Sequence, residues 1–83
     1  MILNVYAVFD KKLGNYATPF FMKNHGLAVR AFGDLVTDPS TTVSRHPEDY
    51  SLYCLGAFDD ETGELLNQEP VHISHAVDFK NEN

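Results

Sequence analysis

The hydrophobic pattern of Ile2–Phe9 divides into two alternating sets of residues, with the two-residue period of a β-strand. One set of alternate residues comprises Leu3, Val5, Ala7 and Phe9, and the other Ile2, Asn4, Tyr6 and Val8. Both sets are largely apolar, which predicts a central strand covered on one face and at least partly on the other. The turn-forming segment Asp10–Asn15 then predicts a hairpin. Its return segment, Tyr16–Met22, contains Pro19, which lacks an amide donor and belongs at a sheet edge.

The clearest periodic signal follows Asn24, where apolar residues recur at spacings of three and four and predict one amphipathic helix. The stripe consists of Leu27, Ala28, Ala31, Phe32, Leu35 and Val36. The Asn24 side chain can accept a hydrogen bond from an amide of the first turn. Asp38-Pro39 ends the helix, because a residue before proline avoids the α conformation. Gly33, on the helix, can permit close packing.

The second half of the chain predicts a loop followed by a second hairpin. Residues 40–49 are rich in small polar residues, and Pro47 can begin a helical turn. Alternation resumes over Tyr50–Phe58, which predicts a strand. The composition of Asp59–Gly63 is that of a turn, and it leads into a return strand over Glu64–Gln68.

These elements occur in the order β-β-α-β-β and predict an α+β fold. The fold is a small antiparallel or mixed sheet of four to five strands, with one amphipathic helix packed on one face. After Pro70 the pattern allows either a short fifth strand or a helical turn over residues 74–79. We expect residues 1–79 to form a single domain and residues 80–83 to fray.

A single helix cannot cover all the apolar surface that the pattern places on the sheet. The surplus includes Tyr6, Val8, Phe20, Phe21, Tyr50 and Tyr53. It favours self-association, for which we expect a homodimer, or a platform that faces a ligand. Phe20 and Phe21 are nevertheless expected in the core, because adjacent exposed Phe side chains are a liability.

Composition narrows the class of protein. The chain has 83 residues, 43% of them hydrophobic, which suits one small core and is too apolar for a disordered tail. The lone Cys54 excludes a disulfide within the chain and indicates a reducing compartment. The longest apolar run, Val5–Phe9, is far below the ~20 residues of a membrane span, and the first residues lack the pattern of a signal peptide. We expect a cytosolic protein without a membrane partner.

The formal net charge of −6 hides an asymmetry between the two halves. Residues 1–45 contain five basic and three acidic residues, a charge of +2, whereas residues 46–83 contain one basic and nine acidic, a charge of −8. Between Lys11 and Arg30 there is no acidic residue, and cations alternate with aromatics. That segment is either an ordinary solvated surface or a cationic face that binds single-stranded nucleic acid by base stacking and phosphate contacts.

Other chemistry has little support in the sequence. His72 and His75 have a metal-like spacing, with Glu69 as a possible third ligand, but on an extended chain the two imidazoles point to opposite faces. We therefore expect no metal site. Cys54 has no cation nearby in sequence to lower the pKa of its thiol, and neither a glycine-flanked nucleophile nor a phosphate-binding glycine loop occurs. We expect neither an enzyme nor a cofactor.

Several motifs stand in a characteristic order along most of the chain. They are the run from Asn4 to Asp10, Pro19-Phe20-Phe21 before Asn24, the run from Ala28 to Asp34, Asp38-Pro39, His46-Pro47-Glu48-Asp49-Tyr50 with Leu52-Tyr53, and Gly56-x-Phe58-Asp59-x-x-Thr62-Gly63. Their order and spacing resemble the small nonstructural protein of gokushoviruses, the single-stranded DNA phages of the microvirus family. The resemblance covers about residues 4–65.

The resemblance implies a protein made in the cytoplasm of the bacterial host during infection and absent from the mature capsid. Its implied role is in genome replication, where it binds single-stranded DNA or the replication machinery and helps the switch from duplex replication to synthesis of packaged single strands. No catalytic residue is implied. Among the polar residues of the motif region, Arg30, Arg45 and His46 are the candidates for contact.

Two hypotheses of function follow. The first is a single-stranded DNA binder, with the candidate residues Lys11, Lys12, Tyr16, Lys23, Arg30, Arg45 and His46. The second is an acidic adaptor that binds a phage or host replication protein without contacting DNA, through Asp59, Asp60 and Glu61.

Overall fold

The computed structural model describes residues 1–80, which form a five-stranded antiparallel sheet with a helical layer on one face. The strands are β1 (Ile2–Asp10), β2 (Asn15–Tyr16), β3 (Phe20–Met22), β4 (Tyr50–Asp59) and β5 (Leu65–His75). The helices are α1 (His25–Thr37), α2 (Thr42–Arg45) and α3 (Val77–Lys80), and a 3-10 turn covers Pro47–Asp49. The predicted α+β architecture is confirmed.

Strand β1 lies at the centre of the sheet. It pairs with β4 along its whole length on one side, and with β2 and β3 on the other. The predicted first hairpin is confirmed, and its return segment is an edge, as Pro19 requires. That edge is divided into two short strands, with residues 17–19 between them outside the regular ladder.

Helix α1 has the bounds that its sequence signals predict. The Asn24 side chain accepts a hydrogen bond from the Leu27 amide at 2.9 Å, and Asp38 ends the helix with an extended backbone. Its apolar stripe buries Ala28, Phe32 and Val36 against the sheet. The helix therefore seals one face of the sheet and leaves the other to solvent or to a partner.

Helix α2 lies in the segment that we expect to be a loop. Thr41 begins it, since its hydroxyl accepts from the Ser44 amide at 3.1 Å. The helix has only four residues, too few to show a period in the sequence. The helical turn predicted at Pro47 is confirmed.

Strand β5 runs as one element from Leu65 to His75, where the pattern predicts a short return strand and a separate piece after Pro70. It contains two bulges. In the first, Gln68–Pro70 lie opposite Leu55 alone; in the second, Ile73 has no partner on β4. Pro70 fits within the strand because residues in the bulge do not need a backbone N–H for the ladder of hydrogen bonds.

The chain turns back onto the helical layer after β5. Each alternative for the segment after Pro70 is found in part, because β5 continues to His75 and helix α3 then covers Val77–Lys80. Lys80 is in the tail that we expect to fray. Instead, Lys80 Nζ donates a hydrogen bond to Ser44 Oγ at 2.9 Å. The Phe79 ring packs directly over Gly33 of α1, where a Cβ would lie 2.8 Å from the ring. Gly33 thus permits the close packing of the two helices. Residues 81–83 of the predicted tail lie outside the described residues.

The two adjacent aromatics of β3 have different environments. Phe20 packs against the core, as predicted, but Phe21 is 46% exposed on the opposite face, since neighbouring residues of a strand point to opposite sides. Tyr6, which the sequence places in the apolar surplus, is fully buried, with its hydroxyl hydrogen-bonded to Asn4 and His25. Burial raises the pKa of the Tyr6 hydroxyl.

None of the helices within residues 1–80 combines the length and the apolar character that a membrane crossing requires.

Replacing Gly56 tests the strand geometry. Gly56 has a φ of +154°, and a Cβ there would lie 2.2 Å from the carbonyl oxygen of Leu66 on β5. We expect Gly56→Ala to lower the free energy of unfolding by about 3 kcal/mol, because backbone strain and overpacking add. Urea denaturation measures the change.

Gly63→Ala is the matched control. Gly63 also has a positive φ, of +78°, but nothing lies within 4 Å of its Cβ position. This variant should lose only the ~1 kcal/mol of a left-handed backbone. Equal losses in the two variants would contradict the close approach of β4 and β5.

Candidate nucleic-acid interface

The sheet face opposite the helices carries a row of aromatic side chains. Phe9 of β1 lies beside Tyr16 of β2, with ring centroids 4.8 Å apart. Tyr53 of β4 completes the group, at 6.0 Å from Phe9 and 5.8 Å from Tyr16. Neighbouring Val8 and Leu52 point the other way into the core. We refer to Phe9, Tyr16 and Tyr53 as the aromatic cluster.

Two histidines of β5 extend the aromatic cluster across the sheet. The His72 ring contacts Tyr53 with centroids 5.4 Å apart, and the His75 ring lies 4.0 Å from that of His72. The expectation that His72 and His75 lie on opposite faces is wrong. The extra residue at the second bulge, Ile73, shifts the alternation by one, so that His72 and His75 lie opposite Tyr53 and Ser51 on the same face.

A second aromatic pair lies further along the same face. Phe21 of β3 and Phe58 of β4 have ring centroids 5.6 Å apart. Phe21 lies opposite Val5, four residues before Phe9 on β1, which places it about 14 Å from the aromatic cluster at the rise of an antiparallel strand. The open face therefore offers aromatic surface at two places along one direction.

Two lysines border the aromatic cluster at one end of the sheet. Lys11 and Lys12 are exposed in the turn between β1 and β2, immediately after the strand that carries Phe9. The Asp10 carboxylate shapes this turn by accepting from the Lys12 amide at 3.0 Å. The Lys11 amide donates to the Asp49 carbonyl at 2.8 Å. The two backbone contacts hold the turn in place, while the side chains stay in solvent.

The other predicted contact residues are distributed over the molecule. Lys23 follows β3 in the connection to α1, and Arg30 is exposed on α1. Arg45 ends α2, where its guanidinium donates to the Pro39 carbonyl at 3.4 Å, and His46 follows it. The structure brings Lys11, Lys12 and Tyr16 together, whereas Arg30 and Arg45 belong to the helical layer on the opposite side of the sheet.

The acidic residues predicted for protein contact lie in the turn between β4 and β5. The Asp59 carboxylate accepts from the Glu61 amide at 2.9 Å, and this hydrogen bond lowers the pKa of Asp59. The amino group of Met1 contacts Asp60 at 2.7 Å and Glu61 at 3.4 Å. Because β1 pairs with β4 from Ile2↔Asp59 to Asp10↔Tyr50, the acidic turn and the Lys11–Lys12 turn are at opposite ends of the sheet.

Sequence reasoning missed Phe9 and Phe58 as site residues, considered His72 and His75 only as a metal pair that it rejected, and included Tyr53 only in the apolar surplus. The alternation of β1 does place Phe9 on the face away from Tyr6 and Val8, so the signal was present there. For β4 and β5 the bulges at Leu55 and Ile73 break the alternation. Gly56 and Pro70 are residues typical of a bulge and lie at the first, but nothing in the local sequence marks the second. Among residues 1–80, no three or more His, Cys, Asp or Glu side chains converge as they would around a metal ion.

Residues 3–79 match the family model described as Phage ORF5 protein. The chain belongs to this family. It is therefore a phage protein, which the motif resemblance implies. No curated protein and no solved structure matches the chain. The Phage ORF5 match spans the whole sheet and the helical layer, so the open face with its aromatic cluster lies within the family region.

The protonation of His72 gives a test of the cluster geometry. Burial lowers the pKa of His72 below its ordinary 6.5, the nearby His75 lowers it further, and Asp78 acts in the opposite direction. A depressed folded-state pKa favours the neutral form. His72 therefore adds stability above about pH 6.5, and this contribution is lost as the pH falls through the folded-state value.

We expect an NMR titration of the histidine ring protons to give His72 a pKa below 6.5. His75→Gln removes the second cause and should raise the His72 pKa part of the way back. A His72 pKa at or above 6.5 in the unaltered protein, or one that does not respond to His75→Gln, would show that the two rings are not in contact in solution.

Proposed function

We propose that this phage protein binds single-stranded DNA on the open face of its sheet, and that it acts in genome replication in the host cytoplasm. The observation that carries the proposal is the aromatic cluster beside the Lys11–Lys12 turn. Protein surfaces that bind single strands without strong sequence preference combine stacking side chains with nearby cations in this way.

The chemistry of the face favours single strands over duplex. Bases stack on aromatic rings only when they are free of their own stack, and each such contact is worth about 1–3 kcal/mol. A duplex keeps its base faces stacked and so offers no surface to the rings, and the chain carries a net charge of −6, which disfavours purely electrostatic binding. Stacking supplies the selectivity, and the two lysines supply a local attraction for the backbone.

The charges of the molecule also orient the strand. The basic turn and the acidic turn are separated by the length of β1, about 27 Å at the rise of an antiparallel strand. A polyanion is attracted to the Lys11–Lys12 end and repelled from the Asp59–Glu61 end. We infer that DNA crosses the sheet over Phe9, Tyr16 and Tyr53, with Phe21 and Phe58 nearer the disfavoured end.

The resemblance to the gokushovirus nonstructural protein supports a biological setting for this binding. In a phage that packages single strands, newly made strands must be kept from serving again as templates for duplex synthesis. A small protein that coats the bases performs this task without catalysis. The proposal therefore includes the switch from duplex replication to single-strand synthesis and packaging.

Charge reversal on the two turn lysines tests the proposal. We expect the unaltered protein to bind a labelled oligothymidylate with an affinity that falls steeply between about 50 and 200 mM salt. Lys11→Glu combined with Lys12→Glu should raise the Kd more than about tenfold. Fluorescence anisotropy of the oligonucleotide measures both, and a duplex of the same length serves as the competing ligand.

Arg30→Glu is the matched control for charge, since Arg30 is an exposed cation on the helical side of the sheet. It should leave the Kd nearly unchanged. Tyr16→Ala should weaken binding about tenfold through lost stacking, while Leu27→Ala, an equally exposed apolar residue of α1, should not. Equal effects of Arg30→Glu and the lysine pair would contradict binding at the open face.

A protein that binds no oligonucleotide at about 50 mM salt overturns the proposal. Light scattering of the free protein then separates two explanations for the exposed aromatics. A homodimer that Tyr16→Ala dissociates assigns the open face to self-association. A monomer that captures a replication protein, and loses it when Asp59, Asp60 and Glu61 are neutralised, assigns the function to the acidic turn.

A further inference from the structure

We propose that His72 and His75 together bind one divalent transition-metal ion of the Zn²⁺, Ni²⁺ and Cu²⁺ class on the open face of the sheet. The site is formed by the second bulge of β5. In a regular strand, residues three positions apart point to opposite faces, and the bulge at Ile73 brings the two imidazoles to the same face. The proposal concerns the protein alone and does not depend on DNA binding.

The distance between the two ring nitrogens fits a shared ion. His72 Nε2 lies 3.2 Å from His75 Nδ1. Imidazole nitrogens bind Zn²⁺ at about 2.0–2.1 Å, and two nitrogens 3.2 Å apart at that bond length subtend an angle of about 100° at the ion. This is close to the tetrahedral angle. Each ring then turns so that the lone pair of its nitrogen faces the ion instead of the other ring.

The neighbours of the pair restrict its motion. Ser51 Oγ lies 3.0 Å from His75 Nδ1, and Ser51 is itself buried. The Tyr53 ring meets the His72 ring edge to face. The Tyr53 contact restricts the His72 ring without occupying a nitrogen and so raises metal affinity, because less conformational freedom is lost on binding. The Ser51 contact is made to the ligating Nδ1 itself, so the ion replaces it. Both His72 and His75 remain exposed, so an ion can reach them from solvent.

A bound ion would replace the hydrogen bond between the two rings. With both imidazoles neutral, one nitrogen carries the proton that the other accepts. An ion takes the place of that proton, which shifts to the other nitrogen of the same ring, so that each bound imidazole still carries one N–H. The donor set is two imidazole nitrogens, and the remaining positions of the ion are left for water or for an oxygen of another molecule. Such a site binds reversibly and is not required for folding.

The other two histidines provide controls within the same chain. His25 is engaged by the hydroxyl of the buried Tyr6 at the start of α1. His46 lies between α2 and the 3-10 turn with no second histidine beside it. Neither residue forms a pair, so a single-histidine surface contact can be measured separately from chelation.

Titration of the full chain with ZnCl₂ by isothermal calorimetry tests the proposal. We expect one ion per chain. His72→Gln and His75→Gln should each weaken binding more than about tenfold, since losing a ligand costs more than losing a neighbour that orients one. His46→Gln should leave affinity and stoichiometry unchanged.

Tyrosine fluorescence gives a second readout of location. The chain has four Tyr and no Trp, so its emission comes from tyrosine alone. Cu²⁺ bound at the pair would lie near the Tyr53 ring and quench its emission. Tyr53→Phe should therefore reduce the quenched fraction while leaving calorimetric binding intact. Circular dichroism melts check that each variant is folded.

The proposal is overturned if His72→Gln and His75→Gln, both folded, bind Zn²⁺ like the unaltered chain. It is also overturned if His46→Gln weakens binding as much as they do, because the ion would then be held by unrelated surface groups. Loss of Zn²⁺ binding in the paired variants with DNA binding retained supports the metal site and leaves the proposed function standing. If these variants keep Zn²⁺ binding and lose DNA binding, the metal site is overturned and the proposed function stands.

Discussion

Strand β1 is hydrogen-bonded on both sides, and the rest of the structure depends on this constraint. With its backbone donors and acceptors used by β4 on one side and by β2 and β3 on the other, the strand can interact further only through its two faces. On one face, Tyr6 and Val8 pack in the core beneath the helical layer. On the other face, Phe9 packs against Tyr16 and Tyr53. The apolar residues of β1 are therefore divided between the core and the exposed aromatic face.

The elements that could be predicted best are those for which a local signal and a long-range requirement agree. Helix α1 could be predicted because Asn24, the apolar stripe and Asp38-Pro39 each specify the same element. Strands β1 and β4 could be predicted from alternation. Their pairing across the middle of the sheet was not predictable in detail, because sequence spacing gives no strand order.

The candidate site was predicted only in part, for a physical reason that concerns β4 and β5. Alternation assigns a face to each residue only while the ladder is regular, and a bulge reverses every later assignment. Gly56 beside Leu55 is typical of a bulge, whereas Ile73 is an ordinary strand residue that gives no sign of this reversal. The position of the Lys11–Lys12 turn could be predicted without knowledge of the bulges, since turn composition and charge alone place it at the end of the first hairpin.

The bulge at Ile73 means that part of the open face depends on the backbone geometry of a segment as well as on the identity of its residues. Two members of a family could share both histidines at the same spacing and differ only in whether the strand bulges between them, and in a regular strand the imidazoles would lie on opposite sides of the sheet. Comparison of related chains by residue matching alone would treat them as equivalent. For this part of the fold, the path of the backbone has to be compared together with the sequence.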